Sequence, residues 1–554
     1  MADDTVRVVF LGGLGEIGRN CACIEVAGRI MILDCGLMFP DVEMPGIDLV
    51  LPDFTYLREN ADRVEGCIVT HGHEDHAGAL SFLLREMSLT IYGSALSLGL
   101  ARGRIEEVGL LDRARMVPVA DGERRRIGPF DVEFIPVTHS VPHGFATAFY
   151  TPQGVILHSG DFKIDLTPID GRSTDLARIG AIASGPGIRL LLSDSTNAEE
   201  EGHTRSERIV GRVLLDLFAA HPDKRIIAAC FASHIHRIQE IADAALANGR
   251  ALATLGRSMG KNVALARSMG LLHIPDDRLV DIENIGDIDP RRVCVVSTGS
   301  QGEPMSALAL MAAGDNKWIS VNDGDLVVLS SHAIPGNESN VGKVIDGLSR
   351  MGAEVVHSGL AEVHVSGHAK REELRTLLSL TRPDCFIPVH GEFRHLSHHA
   401  RLALEMGVGA DRVLLAEDGD VVELGEGGID FAGEVPAGYL YVDGIVGDVG
   451  SGVLRDRKVL AEEGVVVVVV TVDAKSGEVL TGPEIITRGW VYAPEAEELL
   501  DEARQAVLAE MESAADSGVV DFEGLRRRAR SALGRFVSER TRRRPMIVPV
   551  IMEV

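Results

Sequence analysis

Six residues, His71-Gly72-His73-Glu74-Asp75-His76, place four good metal donors directly after the apolar run GCIVT. An extended chain alternates its side chains, so His71 and His73 face the same way, and a helix starting behind them brings Asp75 and His76 alongside. Imidazoles and carboxylates crowded and buried in this manner need a metal or dedicated partners. A single zinc site takes only three or four protein ligands. A polar turn with solvated histidines is the bland alternative. The run therefore demands a fold in which a strand hands over to a helix at a metal-holding edge. AGALSFLLREM, with apolar spacing suited to packing on a sheet, is the expected helix.

Around this cluster, residues 5–165 read as short β-rich segments: VRVVFLGG, CACIEVAG and RIMILDCG joined by a turn at Gly28, FDVEFIPVTHS, and GVILHSGDF. From 205 to 350 strand and helix alternate, RIIAACFAS before HRIQEIADAALANG, then CVVSTGS and DLVVLSSH, which predicts a parallel sheet. Two further units, EVHVSGH with KREELRTLLSL and CFIPVHGEF with SHHARLALEMG, carry histidines at the C-terminal ends of their strands, where α/β sheets gather ligands. After a glycine-rich stretch at 424–450 come six valines at 465–470, a helical EAEELLDEARQAVLAEM, an arginine-rich helical stretch over 525–543 and the strand MIVPVIMEV, which together read as a small α/β domain.

Length and charge bound the rest. A chain of 554 residues outgrows the roughly 250–300 over which one core keeps growing, so several domains are expected. The N-terminus has no basic start followed by an apolar core, and no window offers the ~18 apolar residues of a membrane helix, so no membrane and a cytoplasmic location are expected. Seven cysteines, scattered through apolar runs, read as reduced core residues. A net charge of −27 repels polyanions at long range and argues mildly against nucleic acid. Bound cations or clustered arginines reverse such a field locally.

Gly13, Gly15 and Gly18 form G-x-G-x-x-G, with Asp34 at about the spacing of a ribose-binding acid. That fingerprint needs a helix after the glycines, and NCACIEVAGRIMILDCG alternates like a hairpin instead, so a dinucleotide is not expected. Further donors stand at strand ends: His139 in PVTHS, Asp161 in HSGDF and His390 in PVHGE, each of which alone reads as readily as a structural residue. Asp34, inside the apolar RIMILDCG, suits a hydrogen bond to a ligating histidine better than direct coordination.

Asp34, the HxHxDH of 71–76, His139 and Asp161 resemble the successive motifs of the metallo-β-lactamase superfamily. Asp194 in LLSDSTN, His368 in VHVSGHA and His390 in FIPVHGE resemble the three extra motifs of its β-CASP nucleases. Within that branch the chain is similar to the ribonuclease J family, from GGLGEIGRN through FASHIHRIQE and PVHGEFRHL to the C-terminal domain.

The resemblance implies an α/β fold: an αββα metallo-β-lactamase sandwich with an inserted β-CASP α/β domain and a small C-terminal α/β domain. Expected bounds are 1–205 and 354–435 for the two parts of the sandwich, 206–353 for the insert, 436–450 for a linker and 451–554 for the last domain. It implies two zinc ions per subunit, one on His71, His73, His139 and Asp161, the other on Asp75, His76, His390 and the shared Asp161, with manganese or magnesium as alternatives. His368 becomes the candidate proton donor to the departing 3′ oxygen, with Asp194 beside it.

Ser233, His234 and Ile235 begin a helix, where free amides and the helix dipole favour an anion, and His364, Val365, Ser366, Gly367 and His368 offer donors of the same kind. By resemblance these two segments line a pocket for a 5′-monophosphate. Asp48 and Asp443 match positions where some relatives carry a structural calcium, a weak signal without geometry.

The expected function is a zinc-dependent ribonuclease with 5′-to-3′ exonuclease action on single-stranded 5′-monophosphate RNA and with endonuclease activity, serving rRNA and mRNA maturation and decay. Resemblance further implies a homodimer or homotetramer and contact with other RNA-decay proteins. A non-catalytic RNA-processing scaffold and a thioester or lactam hydrolase are the rival classes. No ligand position is lost, which disfavours the first, and the insert has no use in the second. Arginines 526–528, 530 and 542–544 make the one dense basic run, read equally well as an acid-paired helix face and as an RNA contact.

Overall fold

The run VRVVFLG, buried at six of its seven positions, forms strand Val6–Gly12 inside an eight-stranded sheet. The computed structural model describes residues 5–554 apart from 42, 304, 335–336, 445–448 and 492–495. The chain divides into two units, Met1–Phe39 with Val50–Tyr439, and Pro40–Leu49 with Leu440–Val554.

In the first unit the eight-stranded sheet faces a six-stranded one. Val8, Phe10, Met31 and Ile68 of the former and Val132, Phe134, Ile156 and Leu192 of the latter share one buried core. The far face of the six-stranded sheet is covered by helices Leu176–Ser184, Arg371–Thr381 and Phe393–Glu405, which bury Ile179, Leu374, Leu377 and Leu402 against it. The architecture is an αββα sandwich. Both sheets recruit strands from beyond residue 380: Asp420–Gly425 pairs antiparallel with Val6–Gly12, and Cys385–Val389 pairs parallel with Ile188–Asp194.

Between these halves of the sequence lies a second, wholly parallel six-stranded sheet, ordered Leu279–Val280, Ala251–Leu255, Val293–Ser297, Arg225–Ala229, Asp325–Leu329, Glu354–His357. VCVVS and DLVVL are buried at every position, as strands covered on both faces must be. Helix residues Val210, Leu214 and Ile238 cover one face, and Leu308, Met311 and Leu348 the other.

In the second unit the six valines lie in strand Val465–Val472, flanked by antiparallel Val479–Arg488 and parallel Met546–Glu553. Burial alternates, so Val466, Val468, Val470 and Val472 face helices Glu497–Asp516 and Phe522–Thr541 through Ala503, Val507, Leu525 and Leu533. The even-numbered valines build this core. Asp48 Oδ2 accepts from Gly444 N at 2.7 Å, while the Asp443 carboxylate pairs with Arg457.

Two expectations meet the structure differently. The helix expected over AGALSFLLREM is Leu80–Glu86, and a separate short helix, Glu74–Ala77, precedes it and carries Asp75 and His76. They part at Gly78, where a Cβ would meet Glu74 O at 2.5 Å and the Leu37 side chain at 2.6 Å. The glycine-rich start is followed by strand Cys21–Val26, so no helix faces a pyrophosphate there.

Candidate metal centre

Every donor of the centre stands where a strand stops. Asp34 follows strand Arg29–Leu33, residues 71–76 follow Val64–Ile68, His139 follows Phe130–Val137, Asp161 follows Gly154–His158, Asp194 ends Ile188–Asp194 and His390 follows Cys385–Val389. The parallel register places Asp194 opposite Val389, so His390 comes out beside Asp194. Asp34 and His390 adopt left-handed backbone, φ 61° and 55°, turning the chain sharply at the point where each side chain leaves its strand.

Three sets of donor atoms, each lying within 4.8 Å of one another, share Asp161: His71, His73, His139 and Asp161; Asp75, His76, Asp161 and His390; and Asp161, Asp194, His368 and His390, the last being paired side chains rather than the expected ligands. Asp161 Oδ2 is 3.2 Å from His76 Nε2, 3.7 Å from His71 Nε2 and 3.8 Å from His139 Nε2. His390 Nε2 is 3.4 Å from Asp75 Oδ2. Asp161 Oδ2 and His390 Nε2 are buried and make no well-formed hydrogen bond among the described residues. Orphaned polar atoms converging with imidazole nitrogens fit a divalent ion, which would satisfy them together.

The electrostatics agree. Burial keeps His71 and His139 well below the ordinary imidazole pKa and brings His73 down to about 4, so these rings are neutral donors. Burial also opposes charge on His76 and His390, but Asp161 and Asp75 outweigh it, raising His76 and lifting His390 to about 10. Asp161, which burial would raise, is held well below the carboxylate range by His390 and His76. The carboxylates demand positive charge at their centre, and divalent ions supply it while leaving the imidazoles neutral.

A shell of hydrogen bonds aims these donors. Asp34 accepts from Thr70 N at 2.7 Å and Thr70 Oγ1 at 2.8 Å, and lies 2.8 Å from His76 Nδ1. Asn20 gives its backbone N–H to Asp75 O at 3.0 Å and its side-chain amide to the same carbonyl at 3.1 Å. His139 Nδ1 donates to Gly367 O at 2.9 Å, and His390 Nδ1 lies 2.9 Å from Asp161 Oδ1. Sequence reasoning missed Asn20, Thr70 and Gly36, where a Cβ would fall 1.6 Å from Asp75 O. The conspicuous glycines of GGLGEIGRN were the one available signal.

His368 stands next to the centre, its Nδ1 2.8 Å from Asp194 Oδ2 and 3.9 Å from Asp161 Oδ2. Burial lowers its pKa, but Asp194 overcomes this and raises it. The Asp194 contact fixes the orientation of the ring and favours its protonated form.

The two expected phosphate segments are joined by Arg237. His234 caps helix Ile235–Ala247, its Nδ1 accepting from Arg237 N at 3.2 Å, and the buried guanidinium donates to Val363 O at 2.9 Å and lies 3.5 Å from His364 Nδ1. Ile235 is fully buried, so only its backbone faces any ligand. Ser366 Oγ accepts from Asn197 Nδ2 at 2.8 Å and His368 N at 3.2 Å, and Val365 is buried. Asp48 and Asp443 enter no donor set among the described residues. In the basic run Arg526, Arg528 and Arg543 pair with Glu523, Glu510 and Glu463, while Arg527, Arg530, Arg542 and Arg544 are solvent-accessible.

Comparison with known proteins bears on all of this. Residues 14–201 match the family model for the metallo-beta-lactamase superfamily, 223–348 that for the ribonuclease J beta-CASP domain, 353–413 that for the Zn-dependent metallo-hydrolase RNA specificity domain, and 452–554 that for the ribonuclease J C-terminal domain. The chain is 43% identical over 551 residues to Ribonuclease J of Mycobacterium tuberculosis, covering 99% of this chain and 97% of the relative. It is 39% identical to Ribonuclease J2 of Bacillus subtilis, covering 100% and 99%. It is 41% identical to Ribonuclease J of Thermus thermophilus, covering 99% and 96%. A solved protein of unknown function from Enterococcus faecalis shares the fold at TM-score 0.53 and 16% identity, over 76% of this chain and 100% of that one.

Proposed function

The chain belongs to the ribonuclease J family, and from that footing we propose that it is a two-zinc ribonuclease working 5′ to 3′ on monophosphorylated single-stranded RNA and also cutting internally. That it is a metal-dependent hydrolase of RNA follows from the family and its donor cluster. One observation carries the finer reading: both expected donor sets share Asp161, whose buried Oδ2 makes no well-formed hydrogen bond among the described residues, with His368 and Asp194 alongside.

In this reading His71, His73 and His139 would hold one ion and Asp75, His76 and His390 the other, with Asp161 a donor available to either. A pair of divalent ions supplies an activated water and neutralises charge on the phosphate oxygens. His368, kept protonated by Asp194, delivers a proton to the departing 3′ oxygen. Asp34 holds His76 through Nδ1 and keeps it in register. Ser233, His234 and the backbone at Ile235, with His364, Val365, Ser366 and Gly367, receive the terminal phosphate. That fixed end sets the distance to the cut.

On the same footing the chain keeps the domain bounds expected above, assembles into dimers or tetramers in the cytoplasm, works with other RNA-decay proteins, and accepts manganese or magnesium as substitute metals. One structural calcium at Asp48 and Asp443 would displace the Asp443–Arg457 pair. The test is incubation of the purified chain with 5′-labelled monophosphate RNA and zinc or manganese. Mononucleotide together with internal fragments is expected, and the absence of both would refute the reading.

A further inference from the structure

Lys163 lies two residues beyond Asp161 and is buried. Its one ion-pair partner among the described residues is Asp165, at 4.0 Å. Its ammonium donates instead to two carbonyls, Arg205 O at 3.1 Å and Ser366 O at 3.3 Å. Burial pushes its pKa down against the pull of Glu207 and Asp165. A buried cation is costly, so its hydrogen bonds are strongly directing.

Ser366 opens the stretch 366–368, whose other carbonyls are also gripped. Gly367 O accepts from His139 Nδ1 at 2.9 Å, and His368 O accepts from Thr204 Oγ1 at 2.6 Å and Asn197 Nδ2 at 3.1 Å. Only glycine permits the first contact, since a Cβ on Gly367 would stand 2.7 Å from the His139 ring. Lys163 thus spans from the loop carrying the shared carboxylate Asp161 to the segment expected to receive the RNA end.

We propose that Lys163 is a positioning residue for the 5′-end pocket, its ammonium fixing the Ser366 peptide and with it the register between terminal phosphate and metal centre. This rests on reading 233–235 and 364–368 as that pocket. Asp194 and Thr204 hold His368 without passing through Ser366, so loss of Lys163 displaces the Ser366 peptide more than the His368 ring.

The experiment uses the full chain loaded with zinc, comparing wild type with Lys163→Met. KM for 5′-monophosphate RNA is expected to rise about tenfold, the loss of one charge-assisted hydrogen bond. KM for 5′-hydroxyl RNA and the bound zinc per chain should stay at wild-type values, while deuterium uptake over 363–369 quickens. Should the Met variant not fold, Lys163→Arg carries the test, because its longer side chain must displace the Ser366 carbonyl and produce the same split. A monophosphate preference that survives the substitution, or a uniform loss on both RNAs with loss of zinc, overturns the positioning role. A wild-type chain with no such preference fails the pocket reading itself, before any variant is compared.

Discussion

Asp34 Oδ2 lies 2.8 Å from His76 Nδ1, and the same carboxylate takes both the amide and the hydroxyl of Thr70. A ring held by Nδ1 presents Nε2 in one direction, here toward Asp161 Oδ2 at 3.2 Å. Asp34→Asn keeps the left-handed backbone that Asn tolerates. It should weaken metal binding roughly 10–100-fold. Competition against a chromophoric chelator measures this, and wild-type affinity would count against the role.

Asp161 belongs to both expected ligand sets and Asp75 to one. Asp161→Asn should therefore strip both ions, whereas Asp75→Asn should leave the first set loaded. Elemental analysis after gel filtration separates the two outcomes.

A general acid at His368 would work only while protonated, and Asp194 raises the pKa of that ring against the effect of burial. Activity carried by a general acid falls as pH rises through that pKa. Asp194→Asn removes the raising charge and should move the alkaline fall of kcat to lower pH. His368→Gln should cost roughly 10²–10⁴ in kcat with metal retained. An alkaline limb unmoved by Asp194→Asn would assign the proton elsewhere.

Glu240 is buried, its Oε2 has no hydrogen-bond partner among the described residues, and burial with Glu207 nearby lifts its pKa from 4.5 to about 9. Below pH 4.5 the carboxyl is neutral folded and unfolded and costs nothing. From 4.5 to about 9 the unfolded chain releases the proton that the folded chain keeps, so stability falls steadily as pH rises. At pH 7 the loss is on the order of 3 kcal/mol. Glu240→Gln should raise the melting temperature more at pH 8 than at pH 5, and calorimetry at the two values checks it.

Gly36 leaves no space for a side chain, since a Cβ would lie 1.6 Å from Asp75 O and 2.8 Å from His76 N. Gly36→Ala must push the helix start carrying Asp75 and His76 away from the centre. Soluble protein with reduced metal content, or none soluble at all, is expected, and a fully metallated variant would contradict the packing.

How far the sequence could be read depended on how local the signal was. HGHEDH packs four donors into six residues, and His139, Asp161 and His390 each end an apolar strand, so residue type and position sufficed to nominate them. Lys163 and Asn197 went unread because their partners lie 203 and 169 residues away, and nothing in FKID or STNA marks a side chain as reaching so far. Ile235 was nominated through its motif, but helix geometry turns its side chain into the core. The six valines announced a strand, yet only the structure shows which of them face helices.

The sandwich is closed by strands from beyond residue 380, and this governs when the centre comes into being. Synthesis delivers His71, His73, His139 and Asp161 first, but His368 and His390 emerge only after the whole parallel-sheet insert has left the ribosome. Strand Cys385–Val389 must then find Ile188–Asp194 across that insert, a non-local pairing of the slow kind. A chain halted before that point owns one donor set and no histidine for Asp194. The capacity to cut therefore arrives late and in one step, when the final strands dock.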